Sequence, residues 1–227
     1  MVAVFITGTD TGCGKTYVSE FLLGGVSGLG MKATGMKPIA TGIDELTGEN
    51  EDVCRLIAAS HPGARPDQIN QYCFKEPCSP NIAAALNNAE IKISNILESF
   101  ANLRSGYEFV VVEGVGGWEV PIGDELTVAD LAAALNIPVI LVVGMKLGCI
   151  NHAILTAGAM QKSGVQILGW IANFYDSELE SPDEVLSTLT RRIDFPLLQK
   201  LSKGGITDSA TQLALAVLDD LGENICF

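Results

Sequence analysis

The sequence predicts a single α/β domain, residues 1–227, in which helices cover both faces of a mostly parallel β-sheet. Short apolar runs alternate with amphipathic stretches along the chain, and the apolar runs are hydrophobic on consecutive residues. Consecutive apolar residues indicate strands covered on both faces, as in parallel sheets. A chain of 227 residues with 48% hydrophobic composition is also large enough to bury one sizeable core.

The predicted strands are short runs rich in Val, Ile, Leu and Phe. They span residues 2–7, 32–36, 109–113, 138–143 and 167–172. Amphipathic stretches between them predict helices at residues 17–29, 93–104, 128–135, 150–162, 182–192 and 209–221. Repeated strand–helix units favour a layered parallel architecture. The more polar segment 41–80 predicts functional loops and one short helix near residues 52–60.

The charge and the apolar runs exclude several classes of partner. The formal net charge is −13, from 27 acidic and 14 basic residues, so we expect neither nucleic acid nor anionic lipid as a partner. The longest apolar run, around residues 137–145, is far shorter than the ~20 residues of a membrane span. The apolar start at residues 2–7 lacks a basic flank, and the six cysteines form no CxxC pair. We therefore expect a soluble, cytoplasmic protein with reduced thiols.

The first strand is followed by a glycine-rich loop that opens a helix. Residues 7–16 read Thr-Gly-Thr-Asp-Thr-Gly-Cys-Gly-Lys-Thr. Glycines let backbone N–H groups turn toward phosphate oxygens, and a helix beginning near Lys15 adds its positive dipole end. Lys15 can reach the β- and γ-phosphates, and the hydroxyl of Thr16 can bind Mg²⁺. The sequence therefore predicts a P-loop NTPase fold that binds ATP, although five residues, not the usual four, separate Gly8 from Gly14.

Three charged residues outside this loop are candidates for the reaction. Glu113 ends a buried strand, where parallel sheets place their ligands, and Asp52 lies in an acidic helix start. Lys37 follows the second strand and could neutralise an anionic substrate or a developing phosphoryl charge. From the residues alone, the alternatives are that Glu113 caps a loop, that Asp52 is an ordinary helix-start acid, and that Lys37 is a solvated strand-end lysine.

Five blocks of sequence together resemble the dethiobiotin synthetases, over roughly residues 2–198. They are Gly-Thr-Asp-Thr-x-x-Gly-Lys-Thr at 8–16, Lys-Pro-x-Ala-Thr-Gly at 37–42, Glu-Pro-x-Ser-Pro at 76–80, Val-Glu-Gly-x-Gly-Gly-Trp at 112–118 and Lys-Leu-Gly-Cys-Ile-Asn-His at 146–152. The extra residue in the phosphate loop is the form found in this family. The resemblance implies a ligase that uses ATP, Mg²⁺, CO₂ and 7,8-diaminononanoate in biotin biosynthesis, through an N-carbamate and a carbamic-phosphoric anhydride.

The resemblance also implies a role for each matching residue. Lys15 and Lys37 would be catalytic, and Thr16, Asp52 and Glu113 would bind Mg²⁺. The nucleotide and its metal would contact Gly12, Cys13, Gly14, Lys15, Thr16, Tyr17, Asp52, Glu113, Gly114, Val115, Gly116, Asn173 and Phe174. The substrate would contact Lys37, Thr41, Gly117, Gly148, Cys149, Ile150 and Asn151. The last four would hold the tail carboxylate of the substrate near the partner subunit of a homodimer.

Two positions depart from the family pattern. Gly12 stands where many relatives carry Glu, and residues 197–205 lack the Gly-x-x-Pro pattern that usually follows the last strand and borders the adenine. From the second departure we expect looser discrimination between ATP and other triphosphates. Rates with CTP or GTP within a few-fold of the ATP rate would support this expectation, and strict use of ATP would contradict it.

Three other classes of P-loop protein fit the sequence less well. The amidation domains of cobyrinate metabolism come with a glutaminase domain, for which this chain has no room. Switch ATPases of the partitioning and metal-delivery type carry an extra lysine ahead of the loop glycines, where this chain has Asp10. A nucleotide-binding module without activity would not need both Lys37 and Glu113 beside the loop.

Overall fold

The computed structural model describes residues 2–175, 177–203 and 207–222, and its centre is a six-stranded sheet. The strands of both sheets in the described residues are, in chain order, β1 (Val2–Gly8), β2 (Ala33–Met36), β3 (Ile39–Thr41), β4 (Tyr72–Phe74), β5 (Phe109–Glu113), β6 (Val139–Gly144), β7 (Ile167–Asn173) and β8 (Leu197–Leu201). The main sheet has the order β2-β5-β1-β6-β7-β8, and every neighbouring pair is parallel. The remaining strands, β3 and β4, form a separate two-stranded parallel sheet.

Helices cover both faces of the main sheet. They are α1 (Lys15–Gly28), α2 (Glu51–Ala59), α3 (Pro66–Ile69), α4 (Pro80–Leu86), α5 (Ile93–Gly106), α6 (Val128–Leu135), α7 (Cys149–Ser163), α8 (Pro182–Arg192) and α9 (Thr207–Asp220). No helix in the described ranges is both long and apolar enough to cross a membrane. The predicted fold class, a mostly parallel sheet with helices on both faces, is therefore confirmed.

The sheet separates two hydrophobic cores because side chains alternate between the faces of each strand. In β1, Ala3 and Phe5 pack into the core beneath α5 to α8, whereas Val4 and Ile6 pack into the core beneath α1, α2 and α9. Residues on both faces are buried, which explains why the strands are apolar on consecutive positions.

The strand order gathers several loops at one edge of the sheet. The chain moves from β1 outward to β2, returns to β5, and then crosses β1 to reach β6. The order therefore reverses around β1, and ligands of parallel α/β sheets bind at the carboxyl ends of strands beside such a reversal. The loops that follow β1, β5, β6 and β7 all begin at this edge.

Several elements of the structure were not predicted from the sequence. Segment 41–80 was expected to form loops and one short helix, but it also contains α3 and β4, which pairs with β3. Helix α4 was not predicted. No strand was predicted at residues 197–201, which form β8 on the edge of the sheet. Of the stretch 197–205 that departs from the family pattern, residues 204–205 lie outside the described residues.

Candidate active site

The glycine-rich loop between β1 and α1 adopts the conformation that a phosphate-binding loop needs. Gly12 has φ of 73° and Gly14 has φ of 92°, a region that glycine enters without steric cost. The N–H of Thr9 donates to the carbonyl of Val142 at 3.1 Å, so the loop is anchored to β6. Helix α1 begins directly afterwards at Lys15, which places its positive end at the loop.

The far side of the loop packs against the end of β7. The amide nitrogen of Asn173 donates to the carbonyl of Cys13 at 2.9 Å. A Cβ atom at Gly14 would lie 1.9 Å from that nitrogen, and one at Gly144 would lie 2.9 Å from Cα of Cys13. Side chains at these two glycines would therefore push the loop away from β6 and β7, so the close packing fixes the loop shape.

The ammonium group of Lys15 bridges two loops. Its Nζ donates to the carbonyl of Asp10 at 3.0 Å and to the carbonyl of Gly116 at 2.6 Å. The side chain is largely buried, with 7% of its surface exposed. Lys15 therefore presents a fixed positive charge between the phosphate loop and the loop that follows β5.

Four predicted residues from four parts of the chain meet in one cluster. The Thr16 hydroxyl lies 2.7 Å from Oδ1 of Asp52 and 2.9 Å from Oε1 of Glu113. The Lys37 ammonium lies 2.6 Å from Oε1 of Glu113, 3.1 Å from Oδ2 of Asp52 and 3.1 Å from the carbonyl of Gly114. The structure thus brings together the three residues expected to bind Mg²⁺ and the second catalytic candidate.

Burial and charge act in opposite directions on this cluster. Burial alone would lower the pKa of Lys37, but the carboxylates of Glu113 and Asp52 outweigh it, and the net pKa is raised. Burial alone would raise the pKa of Asp52, but the charge of Lys37 and the hydrogen bond from Thr16 lower it. Lys37 is therefore a cation and Asp52 an anion at neutral pH, and Lys37 is 2% exposed while Glu113 is fully buried.

The oxygen atoms of the cluster suit a magnesium ion. Thr16 has one hydroxyl hydrogen but lies within hydrogen-bond distance of two carboxylates, so it cannot satisfy both. Among the described residues, none donates a hydrogen bond to Oε2 of Glu113, although this atom is buried. Mg²⁺ is commonly bound by one or two carboxylates together with substrate phosphates. Thr16, Asp52 and Glu113 can therefore hold it beside the phosphate loop.

Two asparagine side chains hold the segments that carry Asp52 and Lys37 in place. Asn50 caps α2 by accepting a hydrogen bond from the N–H of Val53, and its amide nitrogen donates to the carbonyls of Thr41 and Gly42. This contact connects the start of α2, which carries Asp52, to β3. Similarly, Asn70 donates to the carbonyl of Lys37 at 2.6 Å.

These residues open onto a cleft of about 720 Å³. The predicted site residues that line it are Gly12, Cys13, Gly14, Lys15, Thr16, Tyr17, Lys37, Thr41, Asp52, Val115, Gly116 and Asn173. Glu113 and Gly114 lie just beneath the cleft, where they contact Lys37. A volume of this size is typical of sites that bind a nucleotide-sized ligand.

Other predicted residues do not line this cleft. Gly117 lies against the phosphate loop, since a Cβ there would be 3.5 Å from the carbonyl of Gly8. Phe174 donates its N–H to the carbonyl of Leu201 at 2.6 Å and packs against the core. Residues 148–151 form the start of α7, where Cys149 is buried and Asn151 is exposed. Segment 148–151 is therefore not part of the wall of the cleft.

The cleft also contains residues that the sequence did not single out. Lys146 pairs with Asp10 at 3.1 Å, Arg55 pairs with Glu20 through both of its carboxylate oxygens, and Tyr175 packs on Tyr17. Each pair joins residues more than 30 positions apart. Such pairings carry no local sequence signal, so only the fold could reveal them.

Known proteins share both the sequence and the fold. A family model described as an AAA domain matches residues 2–203. The ATP-dependent dethiobiotin synthetase BioD of Aromatoleum aromaticum is 49% identical over 198 residues, covering 86% of this chain and 88% of that protein. The chain belongs to the dethiobiotin synthetase family. A second dethiobiotin synthetase, that of Xanthomonas axonopodis pv. citri, is 43% identical over 92% of this chain and 95% of its own.

More distant solved structures share the fold of this dethiobiotin synthetase family member. The septum site-determining protein MinD of Pyrococcus horikoshii, solved with Mg-ADP, has a TM-score of 0.52 at 19% identity over 98% of this chain and 90% of that chain. The cell division ATPase MinD of Pyrococcus furiosus has a TM-score of 0.58 at 15% identity, covering 96% and 99%. These likenesses confirm the P-loop NTPase fold.

Proposed function

We propose that this chain catalyses the ATP- and Mg²⁺-dependent carboxylation and ring closure of 7,8-diaminononanoate with CO₂, which gives dethiobiotin, ADP and phosphate. Membership of the dethiobiotin synthetase family supports this function. The observation that carries it within the structure is the buried ammonium of Lys37, which lies beside two carboxylates and next to a phosphate loop. A fixed cation at this place suits a reaction whose intermediates are anions.

The phosphate loop marks the end of the cleft that binds the nucleotide. Backbone N–H groups of the loop and the ammonium of Lys15 bind the phosphates, while Thr16, Asp52 and Glu113 hold Mg²⁺. Mg²⁺ held by these three residues would supply positive charge beside the phosphates. Gly116 would release the ammonium of Lys15 when phosphates compete for it, since a carbonyl is a weaker partner than an anion.

The remaining steps need positioning more than covalent help from the protein. One amine of the diamine adds to CO₂ and loses a proton, giving a carbamate whose negative charge Lys37 holds. A carbamate oxygen attacks the γ-phosphorus of ATP, the bond to the β-phosphate oxygen breaks, and ADP leaves. The second amine then attacks the carbamoyl carbon and loses a proton, the bond from that carbon to the phosphate oxygen breaks, and phosphate leaves as the cyclic urea closes. Thr41, at the cleft, contacts the substrate near its amines.

The start of α7 is the proposed site for the tail carboxylate of the substrate, and it lies near the proposed contact between two subunits. Segment 148–151 forms the start of this helix, whose free N–H groups suit a carboxylate. Beside it, the side chains of Leu147 and Leu155 are 95% and 65% exposed. Exposed apolar side chains on and just before α7 support a contact with a second copy of the chain, which would complete the tail site. A mass from sedimentation equilibrium of about one chain, at the concentrations used for activity, would contradict the homodimer.

The residues of the site give little support to the alternative that this chain is a switch ATPase. The position where those proteins carry an extra lysine is Asp10 here, and its carboxylate pairs with Lys146 at 3.1 Å. The likeness to MinD structures, at 19% identity or less, concerns the fold alone.

Release of phosphate from ATP tests the proposed function directly. With Mg²⁺ and bicarbonate present, we expect release to depend on 7,8-diaminononanoate and to match the dethiobiotin formed one to one, because ATP is spent only on a carbamate. The reaction without diamine is the control. Release that ignores the diamine would indicate a switch ATPase or another amine substrate, and no release would indicate a binding module.

A further inference from the structure

Two polar contacts join the helices α1 and α2 at successive turns. In the first, the Thr16 hydroxyl lies 2.7 Å from Oδ1 of Asp52. In the second, Nε of Arg55 donates to Oε1 of Glu20 at 3.0 Å, and Nη2 of Arg55 donates to Oε2 of the same carboxylate. Residues three or four positions apart lie on one face of a helix. Glu20 therefore lies one turn after Thr16 on α1, and Arg55 lies one turn after Asp52 on α2.

The contact between Arg55 and Glu20 has the geometry of a strong ion pair. Two N–H groups of one guanidinium donate to the two oxygens of one carboxylate, an arrangement that fixes direction as well as distance. Both side chains are half-buried, so water screens their charges only in part. Glu51 adds a longer contact to Arg55 at 3.7 Å, but its own side chain is exposed. The Glu20–Arg55 pair therefore holds the second turn of α2 against α1.

The other contacts that hold α2 lead to strands. All nine residues of α2 are described, and Leu56 alone among them is buried. Leu56 lies against β2, since a Cβ at Gly35 would be 3.0 Å from its Cδ2. Asn50 connects the start of the helix to β3, and the hydroxyl of Ser60, just past its end, accepts from the N–H of Gly35 at 2.9 Å. These contacts place α2 relative to β2 and β3, whereas the Glu20–Arg55 pair places it relative to α1.

Asp52 depends on this placement more than the other two residues that can hold Mg²⁺. Thr16 belongs to the first turn of α1, and Glu113 is a fully buried strand residue. By contrast, the side chain of Asp52 is 42% exposed, and its distance from Thr16 is set by how closely α2 approaches α1. Mg²⁺ demands near-ideal octahedral geometry, with ligands at about 2.0–2.1 Å. A small shift of α2 would therefore weaken metal binding while the phosphate loop stays intact.

We propose that Glu20 and Arg55 are positioning residues, whose ion pair fixes α2 against α1 and so holds Asp52 at the distance from Thr16 that Mg²⁺ requires. They act through Asp52 and contact neither the metal nor the phosphates. This inference rests on the metal site of the proposed function and gives its geometry a cause. It differs from a direct role of Arg55, whose side chain also lines the cleft.

Calorimetric titration with the non-hydrolysable ATP analogue AMP-PNP tests the pair, once with Mg²⁺ and once with EDTA in its place. The measured quantity is the factor by which Mg²⁺ tightens binding of the analogue. We expect Arg55→Ala and Glu20→Ala each to lower this factor by about 3- to 10-fold, and to leave the affinity in EDTA within about twofold of the natural value. The double variant should lose no more than either single variant, because both residues act through one contact.

The opposite charges of the two residues make this test specific. If charge alone mattered, loss of the cation Arg55 would favour a bound metal ion, and loss of the anion Glu20 would disfavour it. A loss of similar size in both variants therefore indicates an effect of position. Arg55→Lys keeps a charged contact with Glu20 without the two-point geometry, so its loss should be smaller than that of Arg55→Ala.

Arg65→Ala is the matched control. Arg65 pairs with Asp67 through the same two nitrogen atoms, Nε and Nη2, but outside the cleft. This variant makes the same chemical change without touching α1 or α2, and the Mg²⁺ factor should stay unchanged.

Three results would overturn the positioning role. The first is a Mg²⁺ factor that rises in Arg55→Ala and falls in Glu20→Ala, and the second is a factor that neither variant changes. The third is a loss of more than about fivefold in EDTA, which would mean a direct contact with the phosphates if Arg55→Ala alone shows it, and general damage to the fold if both variants do. None of these titrations uses diamine or turnover. Absence of any Mg²⁺ effect in the natural chain would instead contradict the metal site of the proposed function, and the positioning role with it.

Discussion

Replacing Lys37 with alanine should lower kcat by about 10²- to 10³-fold while ATP affinity changes by less than about threefold. The ammonium contacts Glu113, Asp52 and the carbonyl of Gly114, not the phosphate loop, so its loss leaves the phosphate contacts in place. Its charge is needed when the carbamate and the transferring phosphoryl group become anionic. Steady-state rates of phosphate release, together with calorimetric titration of ATP analogues, separate the two effects.

The buried carboxylate of Glu113 complicates that experiment, because removing one partner of a buried ion pair costs about 3–5 kcal/mol of stability. Lys37→Gln keeps a hydrogen-bond donor for Glu113 and should be more stable than the alanine variant, with a comparable loss of kcat. Lys75→Ala removes an exposed lysine paired with Glu45 at 3.5 Å and serves as the matched control. If the kcat of Lys37→Gln stayed within about two- or threefold of the natural value, Lys37 would have no part in the mechanism.

Replacing Lys15 with alanine should damage both nucleotide binding and rate. Its ammonium is already fixed over the cleft by the carbonyls of Asp10 and Gly116, so little ordering is needed when phosphates bind. Loss of one charge-assisted contact weakens binding by about 10- to 100-fold, and loss of transition-state charge stabilisation lowers kcat/KM by about 10³-fold or more.

Titration of ADP and of tripolyphosphate, each with Mg²⁺, should show the same loss in Lys15→Ala, because the contact is made to phosphate. Lys92→Ala, at a surface lysine paired with Glu90, is the control and should bind both ligands normally. If Lys15→Ala lowered kcat/KM but bound tripolyphosphate as tightly as the natural chain, Lys15 would act only after binding.

Local sequence predicted the main sheet and its phosphate loop because both depend on short-range patterns. The five strands at residues 2–7, 32–36, 109–113, 138–143 and 167–172 appear within one or two residues of the predicted bounds. By contrast, β3 and β4 have three residues each and pair across about 30 positions, so their hydrophobic pattern is too short to distinguish from loop. β8 was missed because an edge strand exposes polar side chains such as Lys200.

The candidate site was also predicted only in part from the sequence. The sequence singled out Lys37, Asp52 and Glu113, and the fold places the ammonium of Lys37 within hydrogen-bond distance of both carboxylates. The resemblance also assigned Asn173 to the adenine, but the structure adds that its amide already holds the phosphate loop. That contact joins residues 160 positions apart, and no local pattern marks it.

The ionic groups around the phosphate loop leave no excess of positive charge. Lys15 and Lys37 lie beside the carboxylates of Asp52 and Glu113, while Lys146 is matched by Asp10, and Arg55 by both Glu20 and Glu51. The chain as a whole carries −13. A bare nucleotide therefore meets no surplus of positive potential as it approaches, and a nucleotide that arrives with its metal, and so with less negative charge, is favoured. Metal and nucleotide then act as a single arriving species, and retention depends on contacts made at close range.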